Sequence, residues 1–190
     1  NKPNLGREEK KAAKRVLNSG WIATGPEGRA FENDLCKYVG LEEGHASLVN
    51  SGSAALYLAL LSIGVGAGDE VIAPSYVCTA VLNAINLTGA TPVIVDIEKE
   101  TLNISFEGVR NARNTSTKAV IITHTFGIPA DTEKFKELGI KIVEDCCQAL
   151  GSMDNGQHVG LRGDVAVASF YASKLITSGG YGGMVYSKDK

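Results

Sequence analysis

Ile142-Val143-Glu144-Asp145-Cys146-Cys147-Gln148 opens as an apolar run and ends in two acids, the pattern of a buried strand arriving at its carboxyl end. A second apolar run, Val165 to Phe170, leads through Tyr171-Ala172-Ser173 to Lys174, in a loop rich in serine, threonine and glycine. Outward from this pair, short β-rich runs recur at Ala46 to Val49, Glu70 to Ala73, Pro92 to Val95, Ala119 to Thr123, Lys141 to Glu144 and Met184 to Tyr186. Helix-length segments separate most of them: Ser53 to Ile63, Tyr76 to Leu87, Ser105 to Ala112 and Thr132 to Leu138. The alternation predicts an α/β fold, with right-handed crossovers and a mostly parallel central sheet carrying helices on both faces. Ligands bind such sheets beyond the carboxyl ends of the strands, so the residues just after Val49, Ala73, Val95, Thr123, Glu144 and Phe170 are expected to converge.

Upstream, residues 7–19 place Ala12, Ala13, Val16 and Leu17 on one side of a helical period, with Gly20 as the stop. Trp21-Ile22-Ala23-Thr24-Gly25-Pro26 reads as a loop, and a second helix is expected from Glu27 to Val39. Residues 1–40 are read as an N-terminal helical arm packed on one large domain, residues 41–190. The chain opens on Asn1 and stops at Lys190 just past the apolar Met184-Val185-Tyr186, which predicts a piece of a longer protein.

Composition narrows the function classes. The 190 residues are 44% hydrophobic and 21% charged, an ordinary soluble balance. A net charge of −2 gives no electrostatic case for nucleic acid or a polyanionic membrane. No apolar run approaches the ~20 residues of a membrane helix, and the charged N-terminal stretch is not a signal peptide, so a cytoplasmic location is expected. Cys36, Cys78, Cys146 and Cys147 contain no C-x-x-C pair and are read as reduced. His45, His124 and His158 match no metal spacing; they are read as structural and no metal is expected.

Three stretches carry chemistry, each with a plainer alternative. Asn50-Ser51-Gly52-Ser53-Ala54 opens an apolar helix; its small residues let a phosphate approach free N–H groups at the positive helix end, or simply cap the helix. Asp145 ends a buried strand, where a carboxylate needs a partner such as a protonated pyridine nitrogen; the alternative is a turn acid. Gln148 is placed to bond the same ligand or to face solvent. Lys174 follows a buried strand that also supplies Ser169, and it precedes a glycine-rich loop able to admit a bulky ligand. It reads as a nucleophile toward an aldehyde or as a solvated lysine. A nucleotide-binding α/β domain is disfavoured, because neither G-x-G-x-x-G nor a Walker pattern occurs.

Taken in order, these motifs resemble the N-terminal, cofactor-binding portion of the DegT/DnrJ/EryC1/StrS family of pyridoxal-phosphate sugar aminotransferases, of the aspartate-aminotransferase fold type (fold type I). The resemblance runs from Trp21 to Pro26 and Phe31-Glu32 through Ser51-Gly52-Ser53-Ala54-Ala55-Leu56, Gly68 to Ser75 and Pro92 to Ile97. It continues through Gly127-Ile128-Pro129-Ala130-Asp131, Glu144 to Gly151, Gly163-Asp164 and Ser169-Phe170 to Lys174.

The resemblance implies pyridoxal 5'-phosphate as cofactor. Lys174 matches the lysine that bonds to its aldehyde, Asp145 the acid on its pyridine nitrogen, and Gln148 a glutamine beside the ring. Gly52, Ser53 and Ala54 match the phosphate-binding turn, with Ser53 where threonine is usual, and Ser169 matches a phosphate-contacting serine. Two departures stand out. Cys78 occupies a position that often carries a ring-stacking aromatic, so Tyr76 or a sulfur contact is expected to serve instead. Gly179-Gly180-Tyr181-Gly182-Gly183 is one residue longer than the common Gly-Glu-Gly-Gly and carries Tyr181 in place of the glutamate. The family continues for roughly as many residues again, a typical domain size, so the C-terminal small domain is expected to be missing here. The implied activity is transamination of a nucleotide-linked keto-sugar with glutamate as donor, in amino-sugar biosynthesis for polysaccharides or secondary metabolites, by a homodimer with shared active sites. A non-catalytic pyridoxal-phosphate binder or regulator is the alternative.

Overall fold

The computed structural model describes residues 2–189. Its main sheet has the strand order β1-β9-β8-β5-β4-β2-β3, formed by β1 (Ala46–Val49), β2 (Glu70–Pro74), β3 (Thr91–Val95), β4 (Thr117–Thr123), β5 (Lys141–Asp145), β8 (Val165–Ser169) and β9 (Gly183–Tyr186). Strand β9 is antiparallel to both its neighbours, and every other adjacent pair is parallel. The expected mostly parallel sheet is therefore present, and β1, β2, β4, β5 and β8 all end at the same edge.

Alternation of side chains along each strand builds the layers. Ala119, Ile121, Val143, Val165 and Val167 pack under α3 (Gly52–Ser62) and α4 (Thr79–Leu87). Val120, Ile122 and Ile142 face the other way, against Phe106 and Val109 of α5 (Phe106–Ala112) and Phe135 of α6 (Thr132–Phe135). On that second face Leu35, Cys36 and Val39 of α2 (Pro26–Val39) cover Ala166, Ala168 and Met184. Helix α2 is thus a layer of the core, whereas α1 (Arg7–Ser19) buries no residue.

Boundaries differ from the sequence expectation where the backbone serves the strand ends. Helix α4 starts at Thr79 rather than Tyr76, because Cys78 is extended (φ −63°, ψ 136°) and keeps Ser75-Tyr76-Val77 outside the helix. The stretch from Thr132 breaks into one α-helical turn and a 3-10 turn, ended by Gly139 at φ 64°. A hairpin absent from the expectation joins β6 (Met153–Asp154) to β7 (Gln157–His158). Its signal was legible: Asn155 and Gly156 both hold positive φ, the two-residue turn that Asn-Gly favours.

Beneath the hairpin, Glu144 is 1% exposed and fully engaged. Its carboxylate accepts from His124 Nε2 at 3.0 Å, Thr132 Oγ1 at 3.2 Å and the N–H groups of Gly160, Arg162 and Gly163 at 3.0, 2.7 and 2.6 Å. Ala130 donates its N–H to His124 Nδ1 at 3.0 Å, so Nε2 is the proton-bearing nitrogen. Both ring nitrogens of His124 are thereby engaged within the protein. Five donors from three separate segments meet on the Glu144 side chain.

Burial pushes the Glu144 carboxyl upward, but the His124 bond and the Gly163 and Gly160 N–H groups outweigh it and hold the group well below the usual carboxylate range. A carboxyl lowered in the folded state contributes stability above its unfolded pKa of about 4.3, and loses it as acid protonates the native form. Glu144→Ala should cost about 3–5 kcal/mol in urea unfolding at neutral pH, because it strands several buried donors. The gap between wild type and variant should narrow below about pH 4; a gap that stays constant with pH would remove the carboxylate's charge from the account.

Candidate active site

Strand ends and register decide which side chains meet. Thr123 pairs with Asp145, and Asp145 with Val167, so Thr123, Asp145 and Ser169, two residues past Val167, project from the α3 side of the sheet. All three line one cleft of about 740 Å³ beyond the carboxyl ends of β1, β2, β4, β5 and β8. The same cleft is lined by Gly52, Ser53, Cys78, Gln148 and Lys174. Of the candidate cofactor and catalytic residues, only Ala54 is absent from its wall, and its N–H is already taken by Ser51 Oγ at 3.1 Å.

The helix start supplies an anion cradle. Ser51 is the N-cap of α3, in extended conformation, which leaves the N–H groups of Gly52 and Ser53 without an acceptor among the described residues. Gly52 is required by packing as well. A Cβ there would lie 2.7 Å from Ser169 Cβ and 2.9 Å from Ser169 Oγ. On the other flank a Cβ on Gly183 would lie 2.3 Å from the Ser51 carbonyl oxygen. Two bare backbones thus bring β8, β9 and the start of α3 together, with the Ser169 hydroxyl beside the helix terminus.

Asp145 and Lys174 carry the charges. Asp145 is half-buried; its Oδ1 accepts the Cys147 N–H at 2.9 Å. Neither Asp145 nor Lys174 enters an ion pair among the described residues. Loss of solvent and the Asp145 carboxylate push the Cys147 thiol well above its ordinary value, while the Lys174 charge pulls it down. One thiol therefore lies in the field of both groups. Lys174 is half-buried, and its N–H donates to the Tyr171 carbonyl at 2.9 Å, closing a tight turn.

Aromatic residues complete the walls. Tyr76 and Phe126 meet edge to face with ring centroids 6.2 Å apart, and Tyr171 and Tyr181 lie 5.4 Å apart. Both pairs line the cleft together with the exposed Cys78. Phe126 sits at φ 54°, a left-handed conformation that is costly for a bulky residue, and its N–H donates to Gln148 Oε1 at 3.2 Å. The sequence reading passed over Phe126 and Tyr171, although Phe126 lies three residues past a strand end already marked as convergent.

A sequence profile of the DegT/DnrJ/EryC1/StrS aminotransferase family matches residues 3–190. The chain belongs to this family. Among solved structures it resembles the aminotransferase TlmJ from Streptoalloteichus hindustanus, at 36% identity and a TM-score of 0.93, covering 99% of this chain and 52% of that one. DesV from S. venezuelae is 41% identical with a TM-score of 0.89, covering 96% and 50%. Spr1654 from Streptococcus pneumoniae, named as a sugar aminotransferase and solved in a PMP form, is 33% identical with a TM-score of 0.92, covering 100% and 52%. The chain spans about half the length of each. Its fold is that of the fold type I aminotransferases, as the sequence resemblance implied. Among the described residues, no helix is long and apolar enough to cross a membrane.

In this family member the close approach at Gly52 is open to test. Gly52→Ala should lower the unfolding free energy by about 1–3 kcal/mol in urea denaturation, since Ser169 must move for the methyl to fit. Gly66→Ala, at a glycine outside the cleft with ordinary φ and open space around its Cβ position, serves as the backbone control. A neutral Gly52→Ala would show that Ser169 is not fixed against the helix start.

Proposed function

We propose that the protein containing this chain is a pyridoxal-phosphate-dependent aminotransferase that moves an amino group from glutamate to the keto group of a nucleotide-linked sugar. The reading rests on one observation. An anion cradle, an unpaired carboxylate and an unpaired lysine line the same cleft, as a phosphate, a pyridine nitrogen and an aldehyde on one small molecule require. A PMP form of the similar Spr1654 supports the choice of cofactor.

The residues fit that group. The free N–H groups of Gly52 and Ser53, at the positive end of α3, hold the phosphate, with the hydroxyls of Ser53 and Ser169 as further donors. Ala54 contributes through the helix turn it closes with Ser51. Asp145 keeps one oxygen on the Cys147 N–H and offers the other to a protonated pyridine nitrogen. Gln148 would sit beside the ring, and it accepts the Phe126 N–H, which steadies that loop. At Cys78, where a stacking aromatic is common, the flat surface comes from Tyr76, backed by Phe126.

Pyridoxal phosphate, when bound, supplies an aldehyde that reacts with amines and a ring that accepts electrons. The chain's own groups set the proton positions. With the cofactor bound, Asp145 would hold a proton on the ring nitrogen. The Lys174 amine would be the group that bonds to its aldehyde and, when free, would move a proton between the donor's α-carbon and the C4' carbon.

The rest of the reading extends the same assignment. The enzyme acts in the cytoplasm in amino-sugar biosynthesis for polysaccharides or secondary metabolites, as a homodimer whose subunits share active sites. Residues 41–190 form the cofactor-binding domain and residues 1–40 its helical arm.

Borohydride reduction of the full-length holoprotein followed by peptide mapping should place the pyridoxyl label on Lys174; a label on any other lysine sinks the assignment. The visible absorbance should disappear on adding glutamate, whereas a non-catalytic binder would keep it. Lys174→Ala should lose both the label and about 10²–10⁴-fold in rate. Asp145→Asn should bind the cofactor yet remain nearly inactive, and turnover like that of wild type would remove Asp145 from this role.

A further inference from the structure

Tyr181 is the only side chain in the run Gly179-Gly180-Tyr181-Gly182-Gly183, and it is 75% exposed on the cleft wall. Its backbone is tightly held. Ser178 Oγ donates to the Tyr181 carbonyl at 2.6 Å, and the Phe170 and Ala172 N–H groups donate to the carbonyls of Gly182 and Gly180 at 2.9 and 3.1 Å. Gly179 and Gly180 take φ values of 92° and 159°, conformations that an L side chain rarely adopts. The loop is fixed, and the phenol it presents buries little. A side chain that contributes so little to packing, on a segment built so closely, is placed for something outside the chain.

The position of that loop defines what it meets. Tyr171 bridges to Gly180, and the Lys174 N–H donates to the Tyr171 carbonyl, so the loop is zipped to the turn that carries Lys174. The Tyr171 ring lies 5.4 Å from the Tyr181 ring at 58°, and together they form an aromatic surface next to the lysine. Tyr76 and Phe126 are paired separately. The cleft therefore has two aromatic surfaces, and only one belongs to the segment that carries Lys174.

We propose that the Tyr171–Tyr181 pair is the docking face for the ring of the amino-group acceptor, and that Tyr181 is a specificity-determining residue. The proposal rests on the aminotransferase reading above. An acceptor must bring its keto carbon to the reacting centre at Lys174, so the ring that bears the keto group lies against the neighbouring wall. A pyranose has an apolar face of axial C–H bonds that packs on aromatic rings, whose faces carry negative charge. Tyr181 supplies such a face close to the chemistry. A nucleobase, attached through phosphates, lies further from the keto carbon. The donor, a short charged amino acid, has no comparable flat surface, so the wall discriminates between the two substrates of the reaction.

The test separates the two half-reactions in the full-length holoenzyme. Tyr181→Ala should raise the KM for the nucleotide-linked keto-sugar, and the Kd of its amino-sugar product by calorimetry, about tenfold, the loss of roughly 1.4 kcal/mol of contact. The bleaching rate with glutamate should not change. Tyr181→Phe should restore both constants, while Tyr181→Leu, apolar but not flat, should behave as Tyr181→Ala does. The free nucleoside diphosphate should inhibit wild type and Tyr181→Ala with the same constant. An unchanged acceptor KM in Tyr181→Ala, or full recovery by leucine, overturns the proposal. A rise in the nucleotide's inhibition constant matching that of the sugar assigns the wall to the base and also overturns it. Failure of wild type to bleach with glutamate is a different result, because it refutes the aminotransferase reading itself.

Discussion

The pleat of β5 governs both the stability and the chemistry of this fold. Its last two residues are both acids, and a strand sends neighbouring side chains to opposite faces. Glu144 therefore points into the layer under the hairpin, where three backbone N–H groups, a histidine and a threonine satisfy it. Asp145 points to the α3 side, at the mouth of the cleft, with one backbone N–H on one oxygen. Two identical charges, one residue apart, thus have different roles. A slip of one residue in the β4–β5 register would exchange them, leaving the buried layer short of an acceptor and the cleft without its acid.

Close packing of backbone does for the anion cradle what the pleat does for the acid. The turn from β1 into α3 is bracketed by Ser169 on one side and Gly183 on the other, at separations that leave no room for a side chain at Gly52 or Gly183. Strand β9 must run antiparallel for Gly183 to reach that turn, since its amino end, not its carboxyl end, lies at the cleft. The one pair of antiparallel junctions in the sheet is thus part of the site's construction. It lets β1 and β8, far apart in sequence, deliver a helix terminus and a serine to the same point.

Much of this could be read from the chain. The continuous apolar runs of β4 and β5, buried on both faces as strands inside a parallel sheet are, and the serine-capped apolar helix after Val49 are local signals that survive tertiary packing. The convergence of strand ends follows from topology alone. What the sequence did not disclose depends on contacts between distant segments. The role of Glu144 needs partners from positions 124, 132 and 160 to 163, and no spacing rule links them. Phe126 is ordinary in sequence; its meaning comes from a positive φ and from a bond to Gln148. The division of labour between Ser51, which caps, and Ser53, which is left free, is a matter of which hydroxyl reaches the Ala54 N–H.

The site draws its groups from strand ends and from a loop turn, and the proposed chemistry fits that division. Asp145 and the start of α3, to which the proposed reading gives fixed charges, are attached directly to strands of the sheet. The role proposed for Lys174 is different, since an amine that bonds, leaves and then carries a proton would have to travel between nearby atoms. Lys174 stands on a turn beyond β8, with its backbone N–H bonded to Tyr171 and its side chain in no ion pair among the described residues. A carboxylate close enough to pair with that amine would hold it in place and favour its protonated form, which is no nucleophile. The lack of such a partner among the described residues, beside a carboxylate directed elsewhere by the Cys147 N–H, keeps the acid and the lysine in one cleft without neutralising each other.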